Sequence, residues 1–303
     1  MQPIRIAIIG LGKIAHDQHL PALAADRMFA LVASVDPAAP ALPGLPHFPD
    51  VAALRASGLM VDAVSIATPP GVRAGIAAQA AGWHVMLEKP PAATPAQAAG
   101  LRASAGRSLM FAWHSRCASA VAAARTALAG ETVTNVAITW HEDWRVWHPG
   151  QDWIWRADGF GVFDAGINAL SILTHLFPGV LLDSAALTVP AGCAAPIAAR
   201  LALSGPDGCA ITADFDWRIA GPQCWDIAIA CASGRRLRLS DGGARLWLDG
   251  EAQAMAEPKG EYPALYRRFA ALIAAGRSDT DLSPLALVAQ ALAIGAIHQC
   301  EAL

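Results

Sequence analysis

The 303 residues include 54% hydrophobic side chains, with a mean hydropathy of +0.37. Much of that excess is alanine, and no apolar run reaches the ~18–20 residues of a membrane-spanning helix. A net charge of −3 with no basic run argues against nucleic acid and anionic membranes as partners.

A chain this long can hold two domains and a sizeable core. The six cysteines form no CxxC pair, and the first strand pattern begins at Ile4, leaving no room for a cleavable leader. Both features lead us to expect reduced thiols in a cytoplasmic protein. The 22 basic residues include only three lysines, Lys13, Lys89 and Lys259, so each lysine asks what it does that arginine cannot.

Over the first 115 residues strand and helix signals alternate. The runs 4–10, 30–36, 62–68, 84–90 and 109–114 are apolar and read as strands. Asp50 is placed to cap a helix ending near Gly58, and Thr94-Pro95 to open another. This grammar predicts a doubly wound parallel sheet. After about residue 130 strands follow one another at 132–141, 184–189, 195–203, 209–218 and 224–232. A hairpin at 235–250 turns at Asp241-Gly242-Gly243. Two helices, around 262–275 and 284–299, close the chain. The expected fold is therefore α/β: a Rossmann-type domain over 1–120, then an α+β domain over 121–303 with a large, mainly antiparallel open sheet. The last helix is allowed to pack back on the first domain.

"GLGKIA" (10–15) fits G-x-G-x-x-G/A through Gly10, Gly12 and Ala15. It follows a strand, opens a helix, and precedes Asp36 at the end of the second strand, which is the context a dinucleotide fold requires. Glycines admit the pyrophosphate to the backbone and to the helix N-terminus. Asp36 suits the ribose hydroxyls and repels a 2′-phosphate. No arginine or lysine occurs in residues 37–46, so NAD is favoured, with NADP possible. Glu88-Lys89-Pro90 ends a buried strand, where ligands of open parallel sheets sit. Lys89 supplies a compact, titratable ammonium there. The competing reading is a solvated lysine paired with Glu88.

Five of the ten tryptophans lie between Trp140 and Trp155, mixed with His141, Glu142, Asp143, His148 and Asp152. Trp140 reads as sheet packing, Trp153 and Trp155 as anchors of the loop, and His148 as a turn residue. Asp164 and Asn168, four apart, share one helix face if a helix starts just before Asp164. His16 and His19 lack a completing set of metal ligands and read as helix-surface or cofactor-side residues, so no metal is expected.

"GLGKIA", "EKP" near residue 90 and the α+β second half resemble the Gfo/Idh/MocA oxidoreductases over essentially the whole chain. Within that family, "KIAHDQHLPAL", "HVMLEKPP", "FAWHSRCASAV", "WHPGQDWIW", "GVFDAGINALSI" and "EYPALY" look like the NAD(P)-dependent aldose 1-dehydrogenases acting on L-arabinose and D-galactose. The resemblance implies oxidation of the anomeric C1 hydroxyl to an aldonolactone. It implies a cofactor site of Gly10, Gly12, Lys13, Ile14, Asp36, Thr68, Pro69, Glu88 and Lys89. The sugar site would comprise Lys89, His114, Glu142, Trp147, Asp164, Asn168 and Trp225, with Lys89, Asp164 and Asn168 at the chemistry. Many family members carry histidine in place of Asn168. Asparagine does not titrate, so the proton falls to Asp164, Lys89 or the coupled pair. The resemblance also implies a homodimer or higher homo-oligomer through the C-terminal sheet. The rival readings are a polyol or dihydrodiol dehydrogenase of the same family, and a non-catalytic dinucleotide sensor.

Overall fold

The structure, a computed structural model, describes residues 2–104, 107–255 and 260–303; Lys259 lies outside them. The chain opens with β1 (Ile4–Ile9), a π-helical turn (Ala15–His19) continued by α1 (Leu20–Ala25), β2 (Phe29–Val35) and β3 (His47–Phe48). Next come α2 (Val51–Ala56), β4 (Ala63–Ile66), α3 (Pro70–Gln79), β5 (His84–Glu88), α4 (Pro95–Ser104) and β6 (Leu109–Ala112). The second half runs through α5 (Val121–Ala127), β7 (Val133–His141), α6 (Trp144–Trp147), a 3-10 turn (Asp152–Trp155), α7 (Phe163–Leu176), β8 (Leu181–Pro190), β9 (Ala198–Ser204), β10 (Ala210–Asp216) and β11 (Cys224–Cys231). It ends with β12 (Arg236–Ser240), β13 (Arg245–Leu248), β14 (Glu251–Ala252), α8 (Glu261–Ala275), α9 (Ser283–Ile294) and β15 (Ala296–Cys300). Two compact units emerge, Met1–His114 with Gly260–Leu282, and Ser115–Lys259 with Ser283–Leu303.

In the first unit six strands pair in the order β3-β2-β1-β4-β5-β6, all parallel. Strands β4 and β6 are buried at every residue, as a sheet covered on both faces demands. The strand order reverses between β1 and β4, the switch point at which such sheets bind ligands. Local signals are realised: Asp50 accepts from the Ala53 amide at 2.7 Å, and Thr94 Oγ1 from the Gln97 amide at 3.2 Å. Helix α8 belongs to this unit, with Tyr266 edge-on to Phe29 at 5.4 Å and Phe269 stacked on it at 6.0 Å.

The second unit is built on nine strands in the order β14-β13-β12-β11-β7-β10-β9-β8-β15. Its pairings are antiparallel except β7 with β10 and β8 with β15. Helix α7 packs on this sheet and on α9. Eleven of its 14 residues are buried, which makes it the core helix of the unit. A Cβ at Gly166 would stand 3.1 Å from the Phe215 ring, so glycine sets how closely α7 approaches β10.

The C-terminus departs from the expected helix over 284–299. Helix α9 stops at Ile294, and residues 296–300 form β15 in parallel register with β8, from Ala296↔Ala186 to Cys300↔Pro190. Edge β8 offers unpaired backbone groups, and that pairing outweighs local helix propensity. Helix α9 contacts α7 and β8 within its own unit, and α8, the helix before it, belongs to the first unit. Among the described residues no helix is long and apolar enough to cross a membrane.

Gly161, at the turn into α7, has φ +50°, and a Cβ there would lie 2.1 Å from the Pro196 carbonyl oxygen. Gly161→Ala should therefore destabilise by about 3 kcal/mol or more. Gly179→Ala, at φ +91° with nothing within 4 Å, should cost only about 1–2 kcal/mol. Urea unfolding of the two variants side by side measures the difference; equal losses would remove the steric account.

Candidate active site

At the switch point, Gly10 has φ +91°, and a Cβ on it would come within 2.9 Å of the Thr68 amide nitrogen. Only glycine lets the β1 turn lie against the end of β4. Above Gly12 the space is open: a Cβ there would meet nothing within 4 Å. Thr68 Oγ1 is buried and has no hydrogen-bond partner among the described residues. A backbone cradle bare of side chains and an orphaned hydroxyl beside it fit a dinucleotide pyrophosphate. Asp36 Oδ2 accepts from the Leu11 amide at 2.8 Å, and Oδ1 accepts from Ala38 and Ala39 at 2.9 and 2.8 Å. Burial opposes its charge, but these amides and nearby His47 prevail and hold the carboxyl below its ordinary pKa. Ile14 packs on the core beside Leu11 and Ala15, whereas Lys13 is exposed and pairs with Asp17. Pro69 is exposed and precedes the first residue of α3.

At the end of β5 the chain buries a charge. Glu88 is 3% exposed. Its Oε1 meets His19 Nε2 at 3.1 Å and accepts from the Tyr262 hydroxyl at 2.7 Å, while Oε2 accepts from the Lys89 amide at 2.9 Å. Burial raises the carboxyl's pKa, but the hydrogen bond and charge of His19, with His114 and Tyr262, hold it well below the usual range. Its side chain is thus taken up inside the protein, and what it contributes is the posture of Lys89. His19 is wholly buried, with Nδ1 2.8 Å from the Tyr266 hydroxyl, so it is not on the helix surface, one of its two expected placements. His16, by contrast, is exposed. Arg73 donates to the carbonyls of Glu88 at 2.6 Å, of Pro90 and of Thr68, bracing both sides of Lys89.

His114 stacks on Tyr262 at 5.3 Å and pairs through Nδ1 with Glu261. Burial lowers its pKa, but the Glu261 carboxylate outweighs burial and the nearby Lys89 charge, so the net shift is upward. Lys89, Glu88 and His114 are therefore joined through Tyr262 into one cluster.

A second cluster forms in the other unit. Glu142, 3% exposed at the end of β7, accepts from Trp217 Nε1 at 2.9 Å and Trp225 Nε1 at 2.8 Å, one indole per oxygen. Trp225 is flanked by Trp140 at 5.8 Å and by Trp147, 38% exposed, at 5.2 Å. Trp140 is buried in β7, and Trp155 sits edge-on to Trp144 at 5.3 Å and Trp217 at 5.7 Å. The residue that anchors the loop most deeply is Ile154, fully buried, rather than Trp153. Asp164 lies in the first turn of α7, with half-buried Asn168 one turn on.

His148 is not the plain turn residue expected. Its Nε2 lies 3.7 Å from Asp164 Oδ2, and its ring lies 4.8 Å from that of Trp217. Asp164, His148, Trp217, Glu142, Trp225 and Trp147 thus form a continuous chain of contacts. It combines a flat aromatic surface with carboxylate and imidazole groups, an arrangement suited to a polar ring with aliphatic faces.

A galactose 1-dehydrogenase from Pseudomonas fluorescens is 46% identical to this chain over 309 residues, covering 100% of this chain and 99% of that protein. A family model described as "Oxidoreductase family, NAD-binding Rossmann fold" matches residues 4–109. The chain belongs to the Gfo/Idh/MocA oxidoreductase family. A crystal structure of D-galactose-1-dehydrogenase from Rhizobium etli superposes with a TM-score of 0.94 at 47% identity, covering 100% of this chain and 98% of that one. The fold is shared more widely. A 3-ketoreductase from Actinomadura kijaniata, in complex with NADP and TDP-benzene, gives a TM-score of 0.82 at 20% identity, over 98% of this chain and 99% of that one.

Arg73, Trp217, Glu261 and Tyr262 join these clusters without a sequence signal that singled them out, although "EYPALY" carries two of them, and His19 stood out only as a spacing partner of His16. The Glu261 pairing has a measurable consequence. Because the folded His114 pKa is raised, the pair's contribution to stability is fully present below the ordinary histidine value of about 6.5 and is lost as pH rises through the folded value. Glu261→Gln should move the His114 NMR titration to lower pH and destabilise more at pH 6 than at pH 9. An unmoved titration would show that Glu261 does not set the His114 charge.

Proposed function

We propose that this chain is an NAD-dependent aldose 1-dehydrogenase, oxidising the anomeric hydroxyl of L-arabinose, D-galactose or both to the aldonolactone. The observation that carries the reading is the tryptophan wall of Trp147 and Trp225, fixed by buried Glu142 in the same cluster as Asp164. Family membership and the two galactose 1-dehydrogenases similar over the full chain support it.

The residues fit a division of labour. The backbone at Gly10 and Gly12, with Lys13 and Ile14 opening the helix, Thr68, Pro69 and the Glu88-Lys89 corner hold NAD, and Asp36 takes the ribose hydroxyls. NAD, when bound, supplies a hydride acceptor. Lys89 donates a hydrogen bond to the anomeric hydroxyl and stabilises negative charge as it develops on that oxygen. Asp164 accepts the hydroxyl proton. Asn168, whose amide cannot titrate, orients neighbouring hydroxyls, and His114 and Glu142 read others. Trp147 and Trp225 lie against a C–H face of the ring. The two sugars share configuration from C1 to C4, including an axial 4-hydroxyl, so a site reading that hydroxyl rejects glucose and xylose.

NADH formation with L-arabinose, D-galactose, D-xylose, D-glucose and myo-inositol, each with NAD and with NADP, tests the reading. Turnover of the first two with NAD is expected, with kcat lowered by roughly 10²–10⁴-fold in Lys89→Met and Asp164→Ala. Silence with every sugar despite NAD binding, or an unchanged kcat in either variant, would overturn the reading or that residue's part in it.

We further infer that two copies pair through the open face of the large sheet. Arg200 and Ala202 of β9 and Ala210 and Thr212 of β10 are exposed on one face of the sheet, with Thr212 opposite Ala202, while the alternate residues Leu201, Leu203 and Ile211 are buried. A broad, small-residue sheet face suits another such face. Sedimentation velocity should show a dimer that Thr212→Arg weakens; a monomer at micromolar concentration would discard the pairing.

A further inference from the structure

Oxidation of a C1 hydroxyl releases a proton as well as a hydride, and a carboxylate that takes the proton must pass it on before the next turnover. Asp164 is poorly placed to do so alone. Its side chain is 12% exposed, in the first turn of the most buried helix of its unit. Asn168, one turn along the same helix, has no titratable group. The structure brings a titratable group to Asp164 within this unit, His148 from the loop after α6, with Nε2 3.7 Å from Asp164 Oδ2.

The other side of the imidazole faces outward along the chain. Nδ1 lies 3.4 Å from Gln151 Oε1, and Pro149 and Gly150, between the two residues, are exposed. That contact suits the tautomer with the proton on Nδ1, donated to the Gln151 carbonyl, and the lone pair on Nε2 turned to Asp164. The ring is held in this plane by Trp217 at 4.8 Å, whose own indole is fixed on Glu142, and by the His148 amide donating to the Trp144 carbonyl at 2.7 Å. The gap of 3.7 Å exceeds a hydrogen bond of about 2.7–3.2 Å, so the transfer requires a small side-chain rotation, of the kind by which catalytic contacts tighten in substrate complexes.

We propose that His148 is the proton outlet of Asp164: a positioning residue that acts through the carboxylate and returns it to the charged state after each turnover. This rests on the aldose dehydrogenase reading. The proton leaving the anomeric oxygen goes to an Asp164 oxygen. It then passes to His148 Nε2, giving an imidazolium paired with the restored carboxylate. Release of the Nδ1 proton to water at the Gln151 side leaves a neutral imidazole with its proton on Nε2. Tautomeric exchange through water returns that proton to Nδ1, so one proton enters, one leaves and the starting tautomer is restored. Around His148 stand Asp164 from α7, the neutral Trp217 indole after β10, and neutral Gln151 of its own loop. Of these three neighbours, the one that can carry charge is Asp164.

The test begins with wild-type turnover of D-galactose and L-arabinose. His148→Gln, checked for folding by circular dichroism, should lower kcat roughly tenfold or more with sugar KM within about threefold. Added imidazole should restore the rate in this variant and leave wild type unaffected. A loss of rate without rescue, or no loss at all, overturns the relay while leaving the dehydrogenase reading intact. Wild type silent on every aldose overturns the dehydrogenase reading itself, and the relay falls with it. A readout independent of turnover is the NMR titration of His148 in the protein alone. It should occur at higher pH in wild type than in Asp164→Asn, and coincident titrations would overturn the pairing even if the Gln variant failed to fold.

Discussion

A carboxylate removed from water at the end of β5 is the constraint from which the first unit takes its shape. Leaving Glu88 charged at 3% exposure would cost several kcal/mol without partners, so the structure must bring donors to it. It does so from three directions: the π-helical turn carries His19 inward, α8 contributes Tyr262, and the next amide in the chain is that of Lys89. That turn begins where the glycine fingerprint ends. The phosphate cradle and the corner that presents Lys89 are therefore rigidly continuous, with Arg73 tying the carbonyls on either side. It also explains why α8, late in sequence, belongs with the first unit: its tyrosines satisfy a charge that the first hundred residues cannot satisfy alone.

The second unit solves the same problem with different chemistry. Glu142 is as buried as Glu88, but its donors are indole N–H groups, one per oxygen. An indole that donates to a fixed carboxylate cannot swing, so the charge holds Trp225 upright and Trp225 in turn positions Trp147 and Trp140 beside it. The clustering of tryptophans is thus one half of a carboxylate-centred scaffold whose other half, Trp217, comes from the strand pairing of β7 with β10.

Much of this was legible in the sequence because it is local. Gly10, Gly12 and Asp36 sit within one strand–turn–helix–strand unit, and the Asp50 and Thr94 caps and the start of α7 beside Asp164 follow from neighbouring residues. What the sequence concealed depends on distant partners. Residues 296–300 have no strand character that competes with the apolar helix before them until β8 presents an open edge. His19 looks like any helical histidine until Glu88 and Tyr266 are folded around it, and His148 like any residue before a proline until α7 arrives. The tryptophans were legible as a group but not one by one, since which of them packs and which lines a surface is decided by Glu142.

The carboxylates then sort by their company. Glu88 is held charged by donors on both oxygens, and Glu142 accepts an indole N–H on each oxygen, so both carboxyl groups are fixed in place beneath the working surface. Asp164 faces an imidazole, which can hold or release a proton in the neutral range. A similar contrast separates the described lysines. Lys13 is spent on a surface pair with Asp17, whereas Lys89 is half-buried on a corner whose backbone is held by Glu88 and Arg73. On the proposed mechanism, the substrate proton moves through Asp164 and His148 while Lys89 holds the anomeric oxygen, and the neighbouring carboxylates Glu88 and Glu142 stay fixed. A chain that otherwise relies on arginine keeps a lysine at the position where a small ammonium must act on one oxygen atom and not on a planar pair.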